Sequence, residues 1–169
     1  MQIFYISDTH FGHTNIIEYT RRPFKSTNEM DETMVNNWNR VVGIGDLVIH
    51  GGDVALANMN YATHLVKSLN GDKVLVRGNH DGSVSKMRRM GFVDVISYWW
   101  SALTGVLVWH DPNDIPPHME MLTSVATHIL YGHLHEKIYT KPNFYSICVE
   151  QIGYTPRTLE EILQIKPIP

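Results

Sequence analysis

Five short apolar runs in this chain stop abruptly, each at a polar word built largely from Asp, His, Asn and Gly. Ile3-Phe4-Tyr5-Ile6 leads into Ser7-Asp8-Thr9-His10, and Leu47-Val48-Ile49 leads into His50-Gly51-Gly52-Asp53. Val74-Leu75-Val76 leads into Arg77-Gly78-Asn79-His80-Asp81. Val106-Leu107-Val108-Trp109 leads into His110-Asp111-Pro112, and Ile129-Leu130-Tyr131 into Gly132-His133-Leu134-His135. Runs this short, with no polar alternation, read as buried strands. A further run over 144–149 reads the same way.

Helical patterns lie between the early runs. Met30, Met34, Val35, Trp38, Val41 and Val42 mark one face of a helix starting near Asn28. Met59, Ala62, Leu65, Val66 and Leu69 mark a second, with Asn70-Gly71 expected as a left-handed cap. A third runs from about Ser83 to a stop at Gly91, and Thr158-Leu159-Glu160-Glu161 reads as a capping box opening a last short helix. Strands alternating with helices imply parallel pairing and an α/β layer fold. The second half is richer in strands, and a second, partly antiparallel sheet packed on the first completes the architecture. No repeat or linker interrupts the chain, so one domain over 1–169 is expected.

The polar words matter because loops at the carboxyl ends of parallel strands converge on a common crevice, where ligands bind. Asp8-x-His10 and His133-x-His135 space their side chains at alternate positions, which in an extended segment point the same way. Gly52, Gly78 and Gly132 each precede a candidate ligand and let the backbone turn sharply. Carboxylate, amide and imidazole donors without a thiolate suit Mn, Fe, Zn or Co better than Ca, which prefers all-oxygen cages. At ordinary composition, Gly-Asn-His-Asp should occur by chance in far fewer than about one in a hundred chains of this length. Gly-Asp alone means little, so order and strand-end context carry the weight.

Composition narrows the function classes. A net charge of −3 argues against strong nucleic-acid binding, which needs a clustered basic surface. The lone Cys148 sits between Ile147 and Val149 and reads as a small buried thiol, consistent with a reducing cytoplasm. The N-terminus lacks the basic region and cleavage site of a signal peptide. The longest uncharged stretch, 95–109, falls short of the ~20 residues of a membrane span. A cytoplasmic protein is therefore expected, in the host cytoplasm if the source is a phage.

Together, Asp8-x-His10, Gly52-Asp53, Gly78-Asn79-His80-Asp81, His110 and Gly132-His133-x-His135 resemble the calcineurin-like metallophosphoesterase superfamily. Ser7-Asp8-Thr9-His10-Phe11-Gly12-His13, Arg22-Pro23-Phe24, Asn37-Trp38-Asn39 and the tail from Val149 are similar to its small phage and bacterial branch. The resemblance implies two mixed β-sheets packed as a sandwich flanked by helices. It also implies two divalent metal ions, manganese first, with iron, zinc, nickel or cobalt as alternatives. Asp8, His10 and His135 would hold one ion, Asp53 would bridge, and Asn79, His110 and His133 would complete the second. A hydroxide bridging the ions would attack phosphorus. His80 would protonate the leaving group or stabilise developing charge, with Asp81 orienting it. The implied substrate is a small phosphodiester or nucleotide-type ester. A small nuclease, a phosphomonoesterase or protein phosphatase, and a non-catalytic scaffold of the same fold are the rivals.

Two positions depart from the family pattern. Gly51 replaces the usual Leu, which is expected to loosen packing behind Asp53, and Asp111 adds a carboxylate after His110. His13 either contacts substrate phosphate or caps the helix that follows. Arg22 is a candidate phosphate contact through its Arg-Pro-Phe setting, although solvated charge is the commoner explanation of Arg21-Arg22 and of Lys86-x-Arg88-Arg89. Trp99-Trp100 is better read as a strand-edge cluster than as a base-stacking platform. His50, His64, His118 and His128 read as surface or packing residues. The sequence leaves open whether the protein is a monomer or a homo-oligomer.

Overall fold

The computed structural model describes residues 1–165; the last four residues of the expected domain lie outside that range. Strands β1 (Ile3–Ile6), β2 (Leu47–His50), β3 (Asp72–Val76) and β4 (Asp94–Ile96) form one sheet in sequence order, and every pairing is parallel. Such pairing requires crossovers. Helices α1 (Ile16–Tyr19) and α2 (Thr27–Val41) lie between β1 and β2, α3 (Met59–Ser68) between β2 and β3, and α4 (Val84–Met90) between β3 and β4. The second sheet runs β5 (Trp99–Ser101), β6 (Val106–Trp109), β7 (His128–Tyr131) and β8 (Phe144–Ser146). Its first pair is antiparallel and the other two are parallel. Helix α5 (Glu120–Val125) precedes β7, and α6 (Val149–Ile152) and α7 (Leu159–Gln164) close the chain. Of the two expected mixed sheets, the first is wholly parallel.

Alternation along the strands builds the layers. Phe4 and Ile6 of β1, Val48 of β2 and Leu75 of β3 face the helices, packing with Met30, Met34 and Trp38 of α2 and Val66 of α3. Tyr5, Ile49 and Val76 face the other way and meet Val106, Val108 and Leu130 of the second sheet. The far face of that sheet offers Leu107 and Ile129, covered by Met119 and Ala126. Each central strand is thus buried on both faces, which is why its sequence shows no polar alternation.

Local signals end the helices. Ser26 accepts a hydrogen bond from the Glu29 N–H and starts α2 one residue before the expected Asn28. Ser83 caps α4, and Gly91 ends it at φ +127°. Thr158 and Glu161 form the capping box of α7. Helix α3 already ends at Leu69, so Gly71 is not its cap. The left-handed Gly71 instead serves the turn into β3, where a Cβ would come within 2.8 Å of the Asp46 carbonyl. The apolar run 144–149 is not one strand: β8 stops at Ser146, and Cys148, fully buried, is the residue from which α6 starts. At Gly51 a Cβ would lie 2.9 Å from Ile147 Cδ1 and 3.0 Å from Ser7 Cβ. Packing behind Asp53 is therefore filled by Ile147, and the expected loosening does not occur. No helix among the described residues is long and apolar enough to cross a membrane.

Candidate metal centre

The loops after β1 and β2 are zipped together by backbone bonds: Asp8 N to Gly52 O (2.9 Å), His10 N to Asp53 O (3.1 Å) and Phe11 N to Val54 O (2.9 Å). Within these loops the chain does not stay extended. Asp8 (φ 57°), His10 (φ 48°), Asp53 (φ 57°), His133 (φ 68°) and His135 (φ 52°) all adopt the left-handed conformation. Asp8-x-His10 and His133-x-His135 are therefore not extended segments with side chains at alternate positions, and a different device brings their side chains together. Each left-handed residue turns the chain sharply and swings its side chain inward. Asp and His tolerate this region better than most residues, yet each instance costs roughly 1–3 kcal/mol. Five on neighbouring loops mark a centre held against local preference.

All seven expected ligand residues come to this edge. Asp8, His10 and His135 place one donor atom each within 4.8 Å of one another, and Asp53, His110 and His133 do the same. Asn79 joins the second group, its Oδ1 lying 2.9 Å from His110 Nε2 and 3.0 Å from His133 Nδ1. Asp53 Oδ2 stands between the groups, 3.7 Å from His10 Nε2 and 3.5 Å from His110 Nε2. These carboxylate–imidazole gaps exceed a hydrogen bond, but a single ion with bonds of about 2.0–2.2 Å can span each of them. His10 supplies an independent test of fit: both ring nitrogens are buried and, among the described residues, neither has a hydrogen-bond partner. A neutral, orphaned imidazole facing two carboxylates has the chemistry of a metal ligand.

Neighbouring groups aim the rings. His110 Nδ1 lies 2.8 Å from the Gly51 carbonyl, and His135 Nδ1 lies 3.1 Å from Glu150 Oε1. Asp111, the added carboxylate, sits with Oδ2 3.5 Å from His133 Nε2, the nitrogen facing away from Asn79. A ring fixed through one nitrogen presents the lone pair of the other.

Charge balance points the same way. Burial holds the His10 imidazole down at about 3, so it is neutral. Burial also penalises Asp53, but His110, the His80 N–H and His10 together hold its carboxyl at about 2. Burial opposes protonation of His110, yet the Asp53 and Asp8 carboxylates prevail and raise it to about 9. In the absence of an ion His110 therefore carries a proton across the neutral range, and a cation must displace it. Below pH 9 the affinity for a divalent ion should fall about tenfold per pH unit for that one displaced proton. Titration calorimetry in buffers of differing ionisation heat should show the release. An affinity that is flat between pH 7 and 9 would contradict it.

Other expected site residues occupy different places. The exposed His80 ring has its centroid 5.7 Å from that of His10 and no side-chain hydrogen bond among the described residues. Its backbone N–H donates to Asp53 Oδ1 at 2.9 Å. Asp81 does not orient that ring. Its carboxylate accepts instead from the backbone N–H groups of Asp53, Gly78 and Val54 at 2.9, 2.9 and 3.0 Å, tying two ligand loops together. Gly78 is required there, because a Cβ would collide with Asp53 Oδ1. His13 does not cap α1, which has no side-chain cap. Its ring centroid lies 5.6 Å from that of His10, with a buried Nδ1 that has no partner among the described residues. Arg22 does not face the open site: its side chain is fully buried and bonded to protein groups. His50 packs in the core, stacked on Trp38 and bonded to Thr9. Glu150 escaped the sequence reading; the one available signal was a carboxylate set between apolar Val149 and Ile152.

A calcineurin-like phosphoesterase superfamily domain matches residues 1–149. An uncharacterized protein of Methanocaldococcus jannaschii is 35% identical over 97% of this chain and 90% of its own length. The Gene 66 protein of Mycobacterium phage L5 is 33% identical over 56% of this chain and 46% of its own. The crystal structure of a protein of unknown function from Aquifex aeolicus superposes with a TM-score of 0.74 at 24% identity, covering 97% of this chain and 98% of that one. That likeness concerns the fold. The two histidine–carboxylate groups at the strand ends lie within the matched span, and by that match the chain belongs to the calcineurin-like phosphoesterase superfamily.

Proposed function

We propose that this protein is a dinuclear-metal phosphoesterase whose substrate is a small phosphodiester or nucleotide-type ester. The observation that carries the reading is Asp53, whose one oxygen stands between two separate donor groups. Asp8, His10 and His135 would hold one ion and Asn79, His110 and His133 the other, with Asp53 shared. When bound, such ions supply Lewis acidity: they activate water at neutral pH and neutralise charge on the phosphoryl oxygens. Manganese is the favoured occupant, although the donor set accepts several divalent ions.

The protein's own groups do the rest. His80 is exposed beside the centre, and its ring is free to turn a protonated nitrogen toward a departing ester oxygen. Its backbone N–H holds Asp53 Oδ1, which leaves Oδ2 to face the donor groups. His13, whose protonation is disfavoured first by burial and then by its neighbours, Arg22 foremost, can offer a hydrogen bond to a phosphoryl oxygen. The negative net charge favours small esters over a nucleic-acid polymer, which would require a basic track.

Reconstituting metal-stripped protein separately with Mn, Fe, Zn, Ni or Mg and assaying bis-nitrophenyl phosphate beside the monoester tests this. We expect metal-dependent hydrolysis, with the diester preferred. Hydrolysis of neither ester with any ion would refute the enzyme reading and restore that of a scaffold.

A further inference from the structure

We propose that Arg22 and Glu150 form a buried positioning pair that presents His135 and Asp8 to the first ion. Glu150 would thereby belong to the working centre, although it lies one residue beyond the matched span. The proposal rests on the metal-dependent reading above.

His135 has two ring nitrogens with different surroundings. Nε2 lies 4.0 Å from Asp8 Oδ1, on the side of the donor group, and Nδ1 lies 3.1 Å from Glu150 Oε1. A carboxylate accepting a hydrogen bond from Nδ1–H fixes the tautomer that leaves the Nε2 lone pair free, stops ring rotation and makes the ring a better donor. Glu150 has its side chain only 6% exposed. A carboxylate that deep is costly unless paired.

Arg22 is that partner, and its geometry goes further than pairing. Its Nε and Nη2 reach Glu150 Oε1 at 2.9 and 2.7 Å. Nη2 also donates to the Asp8 carbonyl at 2.8 Å, and Nη1 to the Thr9 carbonyl at 2.9 Å and to Met30 Sδ at 3.3 Å. Every nitrogen of the guanidinium is thereby engaged with protein groups, and the fully buried side chain leaves no approach for a substrate phosphate. Thr20 Oγ1 adds a further hydrogen bond to Glu150 Oε1 at 3.2 Å, while among the described residues Oε2 is buried without a partner. One planar fork therefore grips the backbone of the left-handed Asp8 and, through Glu150, the ring of His135. It spans ligands far apart in sequence. A lysine could not reproduce this, because an ammonium offers a point charge without the fork.

The test is Glu150→Gln, which keeps the side-chain shape and an acceptor oxygen but removes the charge. Stepwise Mn²⁺ affinities would be measured by titration calorimetry, with exchange of the His135 Nδ1–H followed by NMR in the zinc-loaded protein. We expect first-site affinity to fall about 10–100-fold, the usual effect of removing an outer partner of a ligating histidine. Second-site affinity should be unchanged, and the Nδ1–H should lose protection. Arg22→Lys, which keeps the charge, should weaken the same site. Unchanged first-site affinity in both variants, whatever their melting temperatures, would overturn the proposal and leave a merely structural ion pair. Failure of both variants to fold would overturn it equally. A wild-type protein that takes up no pair of ions would instead refute the function reading, before any variant is made.

Discussion

Asparagine in place of Asp53 should strip the centre of metal and lower turnover more than any change outside the donor set. Asp53 is 2% exposed, and its two oxygens serve different neighbours. Oδ1 accepts the His80 N–H at 2.9 Å, while Oδ2 lies 3.7 Å from His10 Nε2 and 3.5 Å from His110 Nε2. An amide preserves the shape and can keep the bond from His80, so the loop should survive. The charge is lost, and with it the shared anionic oxygen facing two otherwise separate groups. His110, raised to about 9 chiefly through Asp53 and Asp8 against the opposing effect of burial, should titrate lower in the variant. We expect metal affinity to drop beyond the ~10–100-fold typical of an outer partner, with loss at both sites together. Elemental analysis after gel filtration, run beside the diester assay, reads both effects. Two ions retained at full occupancy would remove Asp53 from its bridging place.

Much of this centre was legible because the strands announce their own ends. β1, β2, β3, β6 and β7 are buried on both faces, so each change from apolar to polar residues marks a carboxyl end where loops meet. What the sequence concealed was of other kinds. β4 and β5, three residues each, are too short to carry a period, β4 opening at Asp94 on the edge of the uncharged stretch 95–109 and β5 lying inside it. The left-handed Asp8, His10 and His135 look in sequence like an alternating strand, since spacing does not encode φ. Asp81 and Arg22 sit inside motif words, which suggested that Asp81 orients His80 and that Arg22 contacts phosphate. In the fold, Asp81 binds three backbone N–H groups and Arg22 is buried against Glu150. Glu150 is the converse case, lying in the tail after Val149 and remote from every polar strand-end word, yet within hydrogen-bond reach of a candidate ligand. Side chains that position ligands act through distances the linear chain does not record.

His80 invites a different expectation, because no group holds its ring. Among the described residues the ring makes no side-chain hydrogen bond, and its neighbour Asp81 is committed to backbone donors. Removal of the ring in His80→Ala should therefore leave both donor groups standing, since only the backbone N–H of residue 80 supports Asp53 and alanine retains it. Metal content should match that of wild type. Turnover should fall about 10²–10⁴-fold on esters with a poor leaving group, the usual contribution of a well-placed general acid. The fall should be much smaller with a nitrophenyl leaving group, which departs without needing a proton. This contrast separates proton donation from simple electrostatic support, which would slow both substrates alike. Equal losses on the two esters would assign His80 to charge stabilisation, and full activity on the poor leaving group would remove it from the reaction. A loss of bound metal would instead mean that the loop from Gly78 to Asp81 depends on the ring for its shape. That outcome runs against the backbone bonds that already hold the loop to Asp53 and Val54.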